Sequence, residues 1–344
     1  MNIYDVAIIG AGPAGMLAAI TAGRNGKRVA LIEKNPQPGR KLLATGNGRC
    51  NLTNASISVD RYHGATPEFI EAVLSQFDQP ATMSFFEDLG IIFREEDNGR
   101  IFPRTNQASS VVEILKLALS ESGVDTLTDT QVVGVEKPKE WKISFQNGKS
   151  LKSHSLIIAT GGRAAFYLGS TGDGLHWAQK FGHKYTPIHA SLVPIETVET
   201  WPKEVQGVRV TAAISATSGE KILRESAGDL LFTNYGVSGT AILELSGRIA
   251  PILHTSKVSL HINLFPNMTE SELFQTVSRI FRHIHNRTIT DSLIGIIPDK
   301  LIPVLVKAAN LDLRRTVGDI SKTQILELVR ALRGLTLTVA KVRP

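Results

Sequence analysis

Apolar residues fill positions 3–9 (IYDVAII) almost without a break, and glycine ends the run at once in GAGPAG, residues 10–15. That is the pattern of a buried strand followed by a tight turn. Next, Ala14, Ala18 and Ala22 recur at every fourth position, which predicts a helix whose small face packs close on a sheet. Residues 28–32 (RVALI) supply a second strand, closed by Glu33. Strand, glycine turn, helix and strand make a βαβ unit.

Thr66, Pro67 and Glu68 read as the N-cap, first-turn proline and first-turn acid of a helix that continues through Phe69, Ile70, Val73, Leu74 and Phe77. A second helical stretch follows Pro80 and stops at Gly90. Residues 91–94 and 100–102 predict a hairpin around Asp97-Asn98-Gly99, and residues 107–122 another amphipathic helix. Residues 125–136 and 141–145, with a turn at Asn147-Gly148, predict a small antiparallel sheet over about 124–150. The apolar run 156–160 (LIIAT), ending in Gly161-Gly162, returns the chain to the main sheet. Beyond residue 186 the texture changes to short alternating stretches at 191–195, 208–216, 228–232 and 258–264. A helix is expected from Ser238-Gly239 to Ile249, and helical periodicity spans 269–334, clearest at 272–284 and 323–332. The expected class is α/β: a Rossmann-type domain over residues 1–185, an inserted β-plus-helical second domain over 186–335, and residues 336–344 starting a return to the first domain.

Composition narrows the function. With 344 residues, 42% of them hydrophobic, the chain can bury a sizeable core. Its single cysteine excludes a disulfide framework and a Cys-based metal cluster and fits a reducing compartment. No apolar run reaches the length of about eighteen residues that a membrane span needs, so the reading is a cytoplasmic protein without a membrane partner. No GxSxG, HExxH or Walker A signature occurs, which removes the usual signs of hydrolase and phosphotransfer chemistry. The net charge of +6 is uneven: residues 279–344 hold 12 Lys/Arg against 5 Asp/Glu, and residues 1–278 hold 26 against 27. The basic stretch reads as a solvated helical face and not as a nucleic-acid surface, because Arg314, Arg315, Arg330 and Arg333 lie in amphipathic patterns without interleaved aromatics.

The glycine hexapeptide acquires meaning from its context. It follows a strand, opens a helix, and has an acidic residue at the end of the next strand, 23 positions after Gly10. Gly10 permits the tight turn, Gly12 lets a pyrophosphate approach the backbone, and Gly15 allows close helix–strand packing. Pro13 and Ala14 start the helix, whose free amides and positive dipole end face the phosphates. Glu33 accepts hydrogen bonds from the adenosine ribose, with Lys34 beside it. NAD(P) and FAD both use such a unit. The loop that follows favours the larger ring: Arg40 and Arg49 neutralise phosphates with Lys41 alongside, Gly46 and Gly48 expose backbone amides, and Asn51 and Asn54 match the polar edge of a flavin.

These stretches together resemble a known family. KLLATGNGRCNLTN (41–54), GRIFP (99–103), IIATGG (157–162), STGDG (170–174) and GDLLFTNYGVSGTAIL (228–243), in that order after GAGPAG, look like the YhiN/BaiN-like family of FAD-dependent oxidoreductases. The resemblance implies a three-layer FAD domain of the glutathione-reductase type, with the inserted domain covering the flavin. It implies non-covalent FAD, with Thr45, Gly46, Asn47, Arg49, Cys50 and Asn51 against the flavin, the main chain of Val133 at the adenine, and Thr160, Gly161 and Gly162 near the pyrophosphate. It further implies NAD(P)H as electron donor and a small organic substrate, with reduction of steroid-type C=C bonds and amine oxidation both open. Arg100, Phe102 and residues 236–240 are rim candidates. Family members continue through a further strand and a glycine-rich helix start, so residues 336–344 are expected to begin a segment that this chain lacks. Two other readings stay open: a flavin-dependent RNA-modifying or nucleic-acid-binding protein, and an inactive truncated flavoprotein.

The remaining candidates have plainer explanations. Cys50 has no partner thiol and reads as a small buried side chain. Asp173 shapes the turn before a helix. His176, His183 and His189 are possible acids or bases but are read as ordinary loop histidines. His283 and His285, two apart, do not share a helix face, so no metal site is expected there.

Overall fold

The structure is a computed structural model and describes residues 3–344. The chain divides into two compact units, Met1–Thr186 and Pro187–Pro344. The first unit contains, in order, β1 (Tyr4–Ile9), α1 (Pro13–Arg24), β2 (Val29–Ile32), α2 (Arg40–Ala44), β3 (Thr53–Asn54), α3 (Pro67–Leu74), α4 (Gln79–Asp88), β4 (Phe93–Glu96), β5 (Arg100–Pro103), α5 (Ala108–Glu121), β6 (Asp125–Leu127), β7 (Val132–Glu136), β8 (Trp141–Phe145), β9 (Ser150–Ile158) and α6 (Asp173–Lys180).

A six-stranded sheet in the order β6-β2-β1-β9-β8-β7 organises this unit. β1, β2, β6 and the end of β9 run parallel, which requires crossover connections between them and not hairpins. Alternation along β1 divides its side chains between two cores. Ile8 faces the cluster built with Met16, Ala19 and Ile20 of α1 and Val111, Val112 and Leu115 of α5. Ala7 and Ile9 face the other cluster, with Ile32, Val132, Val135, Ile143 and Trp177. Helices α1 and α5 cover one face of the parallel strands, and β7 and β8, which continue the same sheet through β9, pack with Trp177 of α6 on the other, which makes three layers. Each fully buried aliphatic side chain contributes about 2 kcal/mol.

Two expectations change here. The antiparallel stretch over 124–150 is not a separate sheet. β6 pairs with β2, and β9 serves both sides, because Ser153 is opposite Trp141 of β8 and Tyr4 of β1. The helix face against the sheet is also rotated. Gly15, Met16, Ala19 and Ile20 are buried, whereas Ala14 is exposed, because Gly15 is the residue that touches the preceding turn.

The second unit contains β10 (Ile195–Thr197), β11 (Arg209–Ser218), β12 (Lys221–Thr233), β13 (Gly236–Ser238), α7 (Thr240–Ile249), β14 (Ser259–Asn263), α8 (Glu270–His283), α9 (Ile289–Leu293), α10 (Ile302–Ala308), α11 (Lys322–Arg333) and β15 (Leu335–Val342). The strands close into a six-stranded antiparallel barrel, β10-β13-β12-β11-β14-β15. Residues 336–344 do not return to the first unit. β15 pairs with β14 from Leu335 to Thr338 and with β10 from Val339 to Val342, burying Leu335, Leu337 and Val339. Closure is the physical reason: without β15 the facing edges of β10 and β14 would be unpaired. Helices α8 and α11 each start with a capping box, Thr269 with Glu272 and Ser321 with Gln324.

Candidate cofactor-binding site

The three motif glycines do different work. Gly10, at φ +102°, lies where the chain leaving β9 passes, and a Cβ there would sit 2.5 Å from the Ala159 carbonyl oxygen. Gly15 is tighter, since its Cβ would come 1.9 Å from the carbonyl oxygen of Gly10. Both positions exclude a side chain to let backbones meet. Gly12 has an ordinary φ of −74°, and a Cβ there would meet nothing within 4 Å. Gly12 lies on the wall of an open cleft of about 320 Å³.

The cleft is built at the carboxyl ends of the parallel strands, where open α/β sheets take ligands. Its floor is the N-terminus of α1. Gly12 caps that helix without a side-chain acceptor, Pro13 contributes no N–H, and no acidic residue stands in the first turn. The uncapped amides and positive helix end remain free for an anion. Three cations stand around it. Lys34 Nζ donates to Thr171 Oγ1 at 2.8 Å and to Asp173 Oδ2 at 3.2 Å, Arg40 to Asn35 Oδ1 at 3.0 Å, and Lys41 to the Ala164 carbonyl at 2.7 Å.

Glu33 is buried at 8% exposure and is held from several sides. Its Oε2 accepts from the Ala11 amide at 2.8 Å, and Oε1 accepts from the Asn35 amide at 2.9 Å and Asn35 Nδ2 at 2.7 Å. Its own backbone ties the end of β6 to the segment that leads into β7: Glu33 N–H donates to Leu127 O, and Thr130 N–H to Glu33 O. The carboxylate therefore stands fixed above the glycine turn. Oε2, with a single amide donor, keeps an acceptor site for a hydroxyl. A residue without a side chain at the wall, an uncapped helix end and a fixed acceptor form a donor set that fits an adenosine diphosphate.

Of the residues singled out from sequence, Gly10, Gly12, Pro13, Ala14, Glu33, Lys34, Arg40, Lys41, Thr160 and Gly161 line this cleft; Gly15, Gly162, Val133 and residues 45–51 do not. Val133 sits at the register shift of the β7–β8 pairing, beside the lining residue Val132. Thr160 Oγ1 accepts from the Gly174 amide, tying the end of β9 to α6. Ala11, Asn35, Gln131, Ser170 and Trp177 also line the cleft. Ser170 belongs to the STGDG signal and Asn35 stands next to Lys34, whereas Gln131 and Trp177 carry no motif. Asp173 accepts from Thr171 Oγ1 at 2.8 Å and from Lys34 Nζ at 3.2 Å, and it lines the cleft as well.

The GNGRCN loop is mostly bonded to itself and its neighbours. Gly46, Asn47 and Cys50 take positive φ, and a Cβ on Gly46 would fall 2.5 Å from the Asn51 amide. Arg49 does not face the cleft. It pairs with both carboxylate oxygens of Glu96, at 3.1 and 3.2 Å, and stacks on the Phe102 ring at 4.2 Å. Phe102, 1% exposed, is therefore a platform inside the fold and not a rim residue. The Cys50 side chain belongs to the core with Phe86, Ile91 and Leu115, and burial raises its thiol pKa above the ordinary value, against a smaller opposing hydrogen bond with Thr45. Asn54 Nδ2 donates to the Asn98 carbonyl and pins the hairpin turn. Among the described residues no group of three or more metal-ligating side chains occurs, and no helix is long and apolar enough to cross a membrane.

Comparison with known proteins gives the family. A family model described as the HI0933-like protein Rossmann domain matches residues 4–329. The chain is 33% identical to a 3-dehydro-bile acid delta(4,6)-reductase of Clostridium scindens over 337 residues, covering 97% of this chain and 82% of that protein. It is 32% identical to a ribosomal RNA dihydrouridine synthase of Escherichia coli over 350 residues, covering 100% of this chain and 82% of that protein. The corresponding enzyme of Haemophilus influenzae is 29% identical, with 94% and 78% covered. On the family match and these relatives, the chain belongs to the HI0933-like, or YhiN/BaiN-like, family of FAD-dependent oxidoreductases.

Proposed function

We propose that the protein binds FAD non-covalently, takes electrons from NAD(P)H, and reduces a C=C bond conjugated to a carbonyl group in a small organic acceptor. The observation that carries the reading is the cleft above α1, where Gly12 leaves the wall open and Glu33 stands fixed beside it. Gly10, Gly12, Pro13, Ala14 and Gly15 would form the pyrophosphate turn. Glu33 would accept the ribose hydroxyls, and Lys34, Arg40 and Lys41 would offset the phosphate charge. Thr160, Gly161 and Gly162 would flank the pyrophosphate, and the Val133 main chain the adenine. Thr45, Gly46, Asn47, Arg49, Cys50 and Asn51 would lie toward the flavin end, with Arg49 and Cys50 contributing backbone, since their side chains are engaged elsewhere. When bound, FAD supplies two-electron hydride transfer, and the protein supplies orientation and electrostatics.

The acceptor class comes from what the two kinds of relative have in common. A 3-oxo steroid with a Δ4 double bond and a uracil ring both present a C=C conjugated to a carbonyl. Saturating it takes one hydride and one proton. A second reading, RNA as acceptor, is favoured by the charge of residues 279–344 and by the dihydrouridine synthase relatives.

The test is the visible spectrum of the purified protein, before and after FAD and then NADPH or NADH are added under argon. Flavin bands that bleach with either nucleotide, and return on addition of a cyclic enone, are the expected result. A protein that takes up no FAD overturns the reading. Bands that return with a uridine-containing ribosomal RNA fragment and not with the enone favour the second acceptor.

A further inference from the structure

The second unit carries a cationic groove, of about 820 Å³, between α8 and α11. Arg279, Arg282, His285 and Lys322 line it, and no aspartate or glutamate does. Among the described residues, Arg279, Arg282 and Lys322 have no ion-pair partner, whereas Arg330 on the same pair of helices is paired with Glu270. Clustered cations without counter-charge repel one another and oppose compaction. Lys322 stands, moreover, in the first turn of α11, where no acidic residue is present and the helix dipole disfavours a cation. The hydroxyl of Ser278, on the same wall, is buried without a hydrogen-bond partner. Residues placed against local electrostatic preference point to a function outside the fold's own needs.

We infer that this groove docks the phosphate backbone of RNA. The inference rests on the second reading of the acceptor. Arg279 and Arg282, three apart on α8, share one face, and Lys322 contributes a third contact from the opposite helix. Cations from two helices line one groove with no acid among the lining residues, a charge complement to the phosphates of a strand.

The test is fluorescence anisotropy with a labelled ribosomal RNA stem-loop across a salt series. It compares wild-type protein with the triple variant Arg279→Gln, Arg282→Gln, Lys322→Gln and with a control, Lys27→Gln, Lys149→Gln, Lys180→Gln, that removes the same charge from the first unit. Far-UV circular dichroism and melting check that both variants fold. The expected result is a salt-dependent wild-type affinity, retained by the control. In the groove variant the affinity falls about tenfold or more, and the slope of log K against log salt is lower by roughly 2–3, one contact per cation. Equal loss in both variants, or wild-type binding by the groove variant, overturns the groove and leaves RNA as acceptor standing. No binding by the wild type overturns both.

Discussion

The amide of Ala11, inside the glycine turn, donates to Glu33 Oε2 across 22 positions of sequence at 2.8 Å. The bond links the start of the turn to the end of the second strand, so the residue proposed to hold the ribose also holds the loop proposed to hold the phosphates. Fold and site cannot be separated at this residue. Glu33→Ala leaves the buried Ala11 amide and two part-buried Asn35 donors without their acceptor, and stability should fall by about 1–3 kcal/mol. Urea unfolding of the variant against wild type measures it. Glu33→Asp keeps the charge but shortens the reach, and should fold better than the alanine variant while still losing FAD affinity.

Gly12 and Gly15 separate ligand space from fold space. Gly15→Ala drives a methyl into the Gly10 carbonyl, a 1.9 Å contact, and should cost about 3 kcal/mol or yield insoluble protein. Gly12→Ala meets no atom within 4 Å and loses under about 1 kcal/mol as a poorer cap. Its methyl points into the cleft, so FAD affinity should drop more than about tenfold while the melting curve of the flavin-free protein barely moves. A Gly12→Ala variant with wild-type affinity would remove the cleft from consideration as the cofactor site.

Cys50 should behave as core. It is 4% exposed, and burial holds its thiol above the ordinary pKa, so a disulfide reagent at neutral pH should find almost no reactive thiol until the protein is unfolded, and then one per chain. Cys50→Ala should lose about 1 kcal/mol of stability and leave turnover within about twofold. A large loss of kcat without loss of stability would make the thiol a participant in the chemistry.

The βαβ unit is readable in sequence because its roles are local: Gly10, Gly12, Gly15 and Glu33 lie within 24 positions of one another, and each has a steric or polar reason to be that residue. What depends on distant partners is not. Arg49 looks like a phosphate ligand until Glu96, 47 residues on, claims its guanidinium. The rotation of α1 follows from one contact between Gly15 and Gly10, which no periodicity records. Residues 335–339 alternate as any half-buried strand does, and only the free edges of β10 and β14 decide that they close a barrel. The cleft's far wall, Gln131 and Trp177, comes from segments whose sequence role is packing.

Glu96 gives a pH dependence with a defined sign. Partial burial pushes its carboxyl pKa up, but the charges and hydrogen bonds of Arg49 and Arg94 outweigh that and hold it below the ordinary 4.5. In the unfolded chain those arginines are gone, so the unfolded state binds the proton first as pH falls. The folded-state advantage is therefore fully present above about 4.5 and is lost as pH drops through the lower folded value. Wild-type protein should lose urea resistance over that acid window more steeply than Glu96→Gln, which has no proton to gain there and starts from a lower midpoint at neutral pH. Because Arg49 sits between Glu96 and the Phe102 ring, the same substitution should also loosen the 45–51 loop, seen as faster amide exchange there than in α1. Parallel pH profiles for the two proteins would mean that the arginine pair is solvated and contributes nothing to holding the loop.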